Sequence, residues 1–523
     1  MTTNRTAVTP VALLGVGAAA PSLRMAASEV AAAWGGGGRG TVAVCDADED
    51  TLTLAWRAAV DALAAAGISA ADLSGLWWAT TRPPFAEGPS HAFLSTALGL
   101  DPGATALLCS GSPHAAMEAL GAAWDALAAG HARLALVVAS DALLPGIGTA
   151  GEFTTGAGAA AFVLGSIDAS SGGNGSGAPA RLVRRATSVM PVVDRYRGDA
   201  EKATGDVYDG RLFREEVFIP LMSAVGRDVL AAGDSAGNGS GAANGSESAP
   251  PAGWAIADPD GKLAPAVAKR LGAPLLSAPV QAALGDTGAA ASLLGAIHGC
   301  TSLSLPGVIG TIAYGGGRAT AVTIEVARAV PGAEAAVAAM NAGQAISYIR
   351  AIRARGQLEP MSDPIQMGLP PAGAAFVRGN VEMLGLQGAK CRACGTISTP
   401  PTIHPRCTGC GGGDLDIVNL ARRGKVQTFV VNQTMPPPFQ APLPMVVVDL
   451  DDGARIMVQG SSADAKDLAI DDVVTLSLRL YASERGIPVY GYKAFRVAET
   501  SDREHGSAVG AGARNGASGA GGR

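Results

Sequence analysis

Gly130-His-Ala-Arg-Leu-Ala-Leu-Val-Val-Ala-Ser-Asp141 decides how this chain is built. A glycine that can stop a helix is followed by an apolar run, Leu134–Ala139, that is too short for a buried helix and reads as a buried strand. Just upstream, His114–Ala129 reads as a helix stopping on Gly130, and just downstream Gly158–Leu164 (GAAAFVL) is another buried strand. Further out, Leu52–Ala66 is an Ala-rich helix closed by Gly67, and Gly75–Thr80 is a short apolar strand. Leu263–Leu271 is an amphipathic helix, Gly288–Ile297 a helix of small residues, and Gly307–Ile312 and Ala321–Val326 are strands. Strand and helix in alternation between Thr51 and Val330 predict a layered α/β core.

The chain has 523 residues, too many for one ordinary domain. With 48% hydrophobic and 16% charged residues it can bury a sizeable core, which excludes global disorder. A net charge of −6 gives no broad pull towards nucleic acid or anionic lipid, and no membrane is expected because no apolar run of about 18 residues occurs. The start, Met1–Arg5 followed by Val11–Ala20, mimics a secretory leader. A single Arg and Pro10 ahead of the apolar stretch favour a first buried strand, Val11–Val16. Seven cysteines that include two Cys-x-x-Cys pairs suit a reducing, cytoplasmic setting better than a disulfide framework.

Composition divides the chain. Residues 1–330 form the layered domain, with Gly/Ser/Asn-rich inserts at 169–180 and 232–251 that cannot bury enough surface to order themselves. Residues 335–387 are a helix (Ala335–Arg355) and a proline-punctuated linker. A cysteine module spans 388–415, and alternating β-rich sequence spans 416–500, through Val426–Asn432, Met445–Asp451, Arg455–Gln459, Val473–Leu480 and Val489–Val497. A solvated tail, 501–523, closes the chain.

Cys391-x2-Cys394-x12-Cys407-x2-Cys410 is the most specific motif present. Two such knuckles let four thiolates converge on a zinc ion, and with every position a cysteine no site is left for water, so the ion is structural. Gly395, Gly409 and Gly411 supply backbone freedom around the metal. An iron–sulfur cluster fits the two tight knuckles less well, and His404 between them reads as a loop residue.

Together with Ile346-Ser-Tyr-Ile-Arg350, Gly388–Gly395, Gly424-Lys-Val-Gln-Thr428 and Gly486-Ile-Pro-Val-Tyr490, this stretch resembles the zinc-ribbon plus OB-fold (DUF35-type) proteins associated with thiolases, over roughly Met340–Val497. In them the module scaffolds thiolase-type enzymes and can help form the coenzyme A site. It lacks the basic groove and stacking aromatics of a nucleic-acid-binding OB-fold.

Residues from about Val11 to Val330 resemble the thiolase superfamily, in its 3-hydroxy-3-methylglutaryl-CoA synthase and ketoacyl synthase III branches. The resemblance is carried by Gly130–Asp141, Gly156-Ala-Gly-Ala-Ala-Ala-Phe162, Gly285-Asp-Thr-Gly-Ala-Ala-Ala-Ser292 and Tyr314-Gly-Gly-Gly-Arg318. It implies a five-layered α-β-α-β-α fold with two similar halves, and a homodimer or a complex with a thiolase-type subunit. It also implies a Cys at a strand-to-helix turn, in the motif Cys-x-Gly-Gly-Thr-Ala-Ala-Leu, whose thiolate attacks an acyl thioester. Counting back from Leu120, with Gly130 and Asp141 as independent anchors, puts Pro113 at that position. Cys109, four residues earlier, is the candidate if the register shifts; the alternative is a buried structural thiol.

The resemblance also locates the other groups. His114 is a candidate acid or base at the mouth of the pocket, its alternative being a helix-start residue bonded to backbone. The family's other His falls near Ala257–Asp258, leaving Asp258 or Asp260 as polar candidates, and Asp286 stands where the Gly-rich loop carries Asn or His. Glu87 is the candidate for the synthases' acid, while His298 and Cys300 read as packing residues. Gly285, Thr287, Gly288, Gly316 and Gly317 are candidate cofactor-binding positions, with a backbone open enough for a pantetheine arm. Two functions follow as expectations. One is an acyl-CoA-processing enzyme making or breaking a C–C bond on a CoA thioester without the usual Cys; the other is a non-catalytic, CoA-binding scaffold for a separate active thiolase.

Overall fold

The computed structural model describes residues 4–5, 9–166, 177–198, 203, 205, 209–231, 249–358, 381–435, 441–484 and 487–497. Most of the two inserts, the prolines at 360, 364, 370 and 371 and the tail lie outside the described residues.

The layered half contains β1 (Val11–Ala19), α1 (Thr51–Ala66), β2 (Gly75–Ala79), β3 (Thr105–Cys109), α2 (Ala115–Ala128), β4 (Leu134–Ala142), β5 (Ala157–Gly165) and β6 (Ala180–Val189). It continues with α3 (Ile219–Ala231), β7 (Gly253–Ile256), α4 (Ala264–Leu271), α5 (Ala291–Ser302), β8 (Gly307–Gly315) and β9 (Arg318–Val326). The strand order is β7-β8-β9-β6-β1-β5-β4-β2-β3. Read outward from the middle, the run β1-β5-β4-β2 is repeated by β6-β9-β8-β7, with the same succession of antiparallel, antiparallel and parallel pairings. The fold is therefore a duplicated one. In the second repeat the counterpart of β3 is reduced to one bridge, Trp254 to Leu275. The two sheets run into each other where Val11–Leu13 pairs with Ala180–Leu182.

Strand alternation produces the five layers. Along β4 and β5, Val137, Ala139, Ala160 and Phe162 face a central core shared with α2 and α5, while Leu136, Val138, Ala159 and Ala161 face α1 on the outside. On β8 and β9, Ile309, Val322 and Ile324 join the same central core, whereas Ile312, Tyr314, Ala319 and Ala321 pack under α3 and α4. Helices α2 and α5 thus lie between the sheets. Their small residues, Ala116, Ala119, Ala123, Gly295 and Ala296, are what let two sheets close over one helical layer.

Two readings change. The helix expected over Ala335–Arg355 is two helices, Ala333–Asn341 and Tyr348–Ala354, separated by a strand, Gln344–Ile346, that pairs with Leu23–Met25. Gly343, at φ +154°, breaks the helical path, and the strand gains partners the sequence pattern could not reveal. The insert expected to reach Ala180 ends sooner, because Ala180 already opens β6.

The C-terminal half holds a three-stranded ribbon, β10 (Gln387–Cys391), β11 (Ile397–Ser398) and β12 (Leu415–Asn419). A closed five-stranded barrel follows: β13 (Arg423–Asn432), β14 (Leu443–Leu450), β15 (Arg455–Gly460), β16 (Val473–Glu484) and β17 (Ile487–Arg496). Its apolar residues merge with the core under α1. Trp56 of α1 meets Tyr492 edge to face at 5.8 Å and lies under the Arg422 guanidinium at 4.8 Å. An acidic turn ahead of α1 is matched group by group: Asp46 by Arg350 at 2.8 Å, Asp48 by Lys493 at 2.8 Å, and Glu49 by Arg479 at 3.5 Å. No helix among the described residues is long and apolar enough to cross a membrane.

Candidate active site

Duplication brings the starts of the two inner helices together. After β3 the chain turns at Ser112, whose Oγ accepts from the His114 N–H (3.3 Å) and whose carbonyl accepts from the Ala115 N–H (3.0 Å), starting α2. The start of α5 is prefixed by the tight turn Gly288–Ala290. Between them lies a cavity of about 280 Å³ lined by Pro113, Asp194, Arg195, Phe213, Asp258, Asp286, Gly288, Tyr314 and Gly315, among others. Pro113 brings to it neither a thiol nor a backbone N–H. Gly315 packs so closely that a Cβ there would lie 3.0 Å from the proline ring.

Asp286 is the anchor of the Gly-rich loop. Its N–H donates to the Thr154 carbonyl (2.6 Å), its own carbonyl accepts from Gly156 (2.8 Å), and Oδ1 accepts from the Gly288 N–H (2.9 Å). Oδ2 is paired with Arg195, so its negative charge is matched by a cation from the opposite wall. Gly288 sits at φ +56°, where a Cβ would lie 2.2 Å from Asp141 Oδ2, so this position needs glycine for both reasons. Asp141 accepts from the Ala289 N–H (2.8 Å), Thr81 N–H (2.8 Å) and the hydroxyls of Thr80 and Thr81 (2.9 Å each). Burial outweighs those bonds and pushes its carboxyl up to about 6.

A second cavity, of about 620 Å³, shares Asp258 and Asp260 with the first and is lined further out by Gly37, Gly38, Arg39, Phe153, Lys262 and Gly285. The two adjoin at Asp258 and Asp260, with exposed Arg39 and Lys262 lining the outer cavity and Pro113 and Asp286 the inner one.

The sequence candidates divide between these places. Asp286 and Gly288 line the inner cavity and Gly285 the outer one. The Thr287 hydroxyl is buried without a hydrogen-bond partner. Gly316 and Gly317, at φ +58° and +74°, make the turn from β8 to β9, packed against Ser112 and the Met190 carbonyl respectively. Asp258 is occupied structurally: Oδ2 accepts from the N–H groups of Leu263 (2.6 Å) and Ala264 (2.7 Å) at the start of α4, and Oδ1 from Asp260 (3.0 Å). His114 lines neither of these cavities. Its Nε2 is 2.8 Å from the Thr320 hydroxyl and its Nδ1 3.5 Å from Glu118, and it faces a separate cleft with Arg185 and Arg318; burial keeps the imidazole neutral to lower pH than usual. Cys109 ends β3 outside both cavities, with its thiol pushed to about 11 by burial and by Glu118. Glu87 is exposed, and Cys300 is buried in the central core.

Three cavity residues escape the sequence reading: Asp194, Arg195 and Tyr314. Tyr314 adjoins a glycine motif that draws the eye, and its place at the even, outward face of β8 is the only available signal. Asp194 and Arg195 carry no local signal at all.

In the ribbon, the four sulfurs of Cys391, Cys394, Cys407 and Cys410 lie within 4.8 Å of one another, with Cys391–Cys410 at 3.7 Å and Cys394–Cys407 at 3.4 Å. A tetrahedron of thiolates about 2.3 Å from a metal has edges of about 3.8 Å, so the set fits such an ion. The knuckles are copies: the N–H of Gly395 donates to the Cys391 carbonyl and that of Gly411 to the Cys407 carbonyl, both at 2.9 Å, with φ of +77° and +75°. Gly409 serves differently, since its φ is ordinary but a Cβ would lie 2.7 Å from the Thr396 hydroxyl.

Comparison with known proteins agrees with this division. Residues 417–479 match the family described as ChsH2, C-terminal OB-fold domain. The hydroxymethylglutaryl-CoA synthase of Pyrococcus horikoshii is 34% identical over 157 residues, 30% of this chain and 45% of the relative. That of Methanococcus maripaludis is 29% identical over 163 residues, 30% of this chain and 47% of the relative. The matched region thus spans about half the length of these relatives. A crystal structure of HMG-CoA synthase complexed with CoA superposes with a TM-score of 0.55 at 15% identity, covering 68% of this chain and 93% of that one. The 3-oxoacyl-(acyl carrier protein) synthase III of Pseudomonas aeruginosa superposes at 0.52 with 22% identity, covering 62% of this chain and all of that one. The chain joins a thiolase-like half to a cysteine ribbon and an OB-fold barrel.

Proposed function

We propose that this chain is an acyl-CoA-processing protein in which the adjoining cavities take up a CoA thioester and a C–C bond is formed or cleaved without a cysteine nucleophile. The observation that carries the reading is the adjacency of the two cavities, which share Asp258 and Asp260. A long acyl thioester would place its anionic end near Arg39 and Lys262 and its reacting carbonyl between Pro113 and Asp286, where the starts of α2 and α5 converge. The neighbours include a synthase described with CoA, which supports the class of ligand. Pro113 at the turn supports non-covalent chemistry, because it has no sulfur to acylate and no N–H to give to an oxyanion.

The C-terminal ribbon would hold one structural zinc through Cys391, Cys394, Cys407 and Cys410. A structural zinc locks the fold of such a ribbon. With all four positions filled by thiolates, this chain supplies no group to activate water there. The boundaries read from composition, the homodimer or thiolase-type partner, and a cytoplasmic setting belong to the same proposal.

A second reading, a CoA-binding scaffold that presents intermediates to an active thiolase, is favoured by Pro113 and by the pairing of Asp286 with Arg195, which occupies the loop's own carboxylate. Purified protein assayed with a panel of acyl-CoAs separates them. Turnover by the protein alone supports the enzyme, turnover only after a thiolase subunit is added supports the scaffold, and no thioester binding in either assay overturns both.

A further inference from the structure

Tyr314 lines the inner cavity from β8, and its ring is held edge-on by Phe213 at 5.5 Å and Phe218 at 5.7 Å. The residue is 7% exposed, and its hydroxyl is buried without a hydrogen bond of normal geometry. Burial first, and then the carboxylate of Asp194, which lines the same cavity, keep the phenol protonated. The phenol and the carboxylate thus interact within one cavity wall, a pairing that can pass a proton and that phenylalanine at position 314 could not provide. Asp194 is itself raised by burial, its affinity for a proton kept up by the same dry surroundings.

We propose that Tyr314 is a catalytic acid–base residue, backed by Asp194 as its proton acceptor, for aldol-type cleavage or addition on a β-hydroxyacyl thioester. This rests on the reading of the cavity as a thioester site. In cleavage, the substrate's β-hydroxyl proton passes to the Tyr314 oxygen as the Tyr314 proton passes to Asp194. The freed O–H pair becomes the C=O of the departing ketone or aldehyde. The broken C–C pair becomes the thioester enolate, which takes the proton back through Tyr314. Nothing is oxidised or reduced, and addition is the same path reversed. Neither step needs a thiol, which matches Pro113 at the head of α2.

The test measures acyl-CoA binding and the interconversion of a β-hydroxyacyl-CoA with its ketone and acyl-CoA, in wild type, Tyr314→Phe and Asp194→Asn. Tyr314→Phe is expected to lower kcat by about a hundredfold or more while KM and the Kd for the thioester change less than threefold, with Asp194→Asn lowering kcat in the same direction. A Tyr314→Phe rate within threefold of wild type overturns this inference and leaves the proposed function standing. Thioester binding without turnover in either direction also overturns this inference and leaves the cavity as a thioester-binding site. Failure of the wild type to bind any acyl-CoA overturns both.

Discussion

The Tyr490 hydroxyl donates a 2.6 Å hydrogen bond to Oδ2 of Asp50, joining the barrel to the residue that caps α1. Asp50 Oδ1 accepts from the Thr53 N–H at 2.9 Å while Thr53 Oγ1 accepts from the Asp50 N–H at 2.8 Å, so one carboxylate serves a helix cap and a domain contact at once. Burial raises Asp50 above the usual carboxylate range, and the bond from Tyr490 opposes that rise. Tyr490→Phe leaves the buried oxygen short of a donor and is expected to destabilise the protein by about 1–3 kcal/mol in chemical denaturation. A loss below about 0.5 kcal/mol, the size of an ordinary surface change, would show that the contact is replaced by solvent.

The pairing of Asp48 with Lys493 is a second, separable contact between the same two bodies, and Lys493 is largely buried beneath it. A cycle of Asp48→Ala, Lys493→Ala and the double variant is expected to give a coupling free energy of about 1 kcal/mol, within the range for partly buried neighbours. Coupling indistinguishable from zero would mark the pair as a solvated encounter with no part in docking.

Why the layered half was readable and its site was not has a physical cause. Strands such as Leu134–Ala142 are apolar on both faces because both faces are covered, and that leaves an unbroken run in the sequence. Gly67 and Gly130 announce helix ends because their left-handed backbone favours glycine. Cys391, Cys394, Cys407 and Cys410 are legible because metal ligands must be spaced within two short knuckles. His114 is adjacent to Pro113 in sequence, yet it is the residue just ahead of α2 and its ring lines a different cleft. Tyr314 and Asp194 are brought together by the pairing of β8, β9 and β6, and nothing local to either residue encodes that meeting.

The ribbon has little apolar core of its own: Cys391 and Cys407 are buried, while Cys394 and Cys410 are exposed. Metal analysis is expected to find about one zinc per chain. Cys391→Ser or a strong chelator should then speed hydrogen exchange in β10 and β12 while leaving β4 and β5 protected. A metal-free protein with an intact, protected ribbon contradicts the zinc reading.

Cys109 lies near the missing thiol position but is chemically unsuited to replace it. With its thiol pushed to about 11, alkylation at neutral pH should be roughly a hundredfold slower than for a free cysteine. Cys109→Ala should leave thioester binding and any turnover within threefold of wild type. Abolished turnover together with an acyl adduct on Cys109 would overturn the non-covalent mechanism.

Asp141 gives the loop before α5 a pH dependence whose sign is fixed by its burial. The folded carboxyl titrates near 6 against about 4 in the unfolded chain, so between those values the folded state holds more protons. Stability from this group is therefore fully present below about pH 4 and declines as pH rises to about 6, by roughly 3 kcal/mol. Asp141→Asn cannot titrate, and it also loses one acceptor oxygen among the four donors from Thr80, Thr81 and Ala289. The variant should accordingly be less stable than wild type at pH 4, with the gap narrowing by about 3 kcal/mol at pH 7. Denaturation curves of both proteins at the two pH values measure it. A gap that widens with pH would mean that the four donors hold the carboxylate ionised, and that burial does not govern this group.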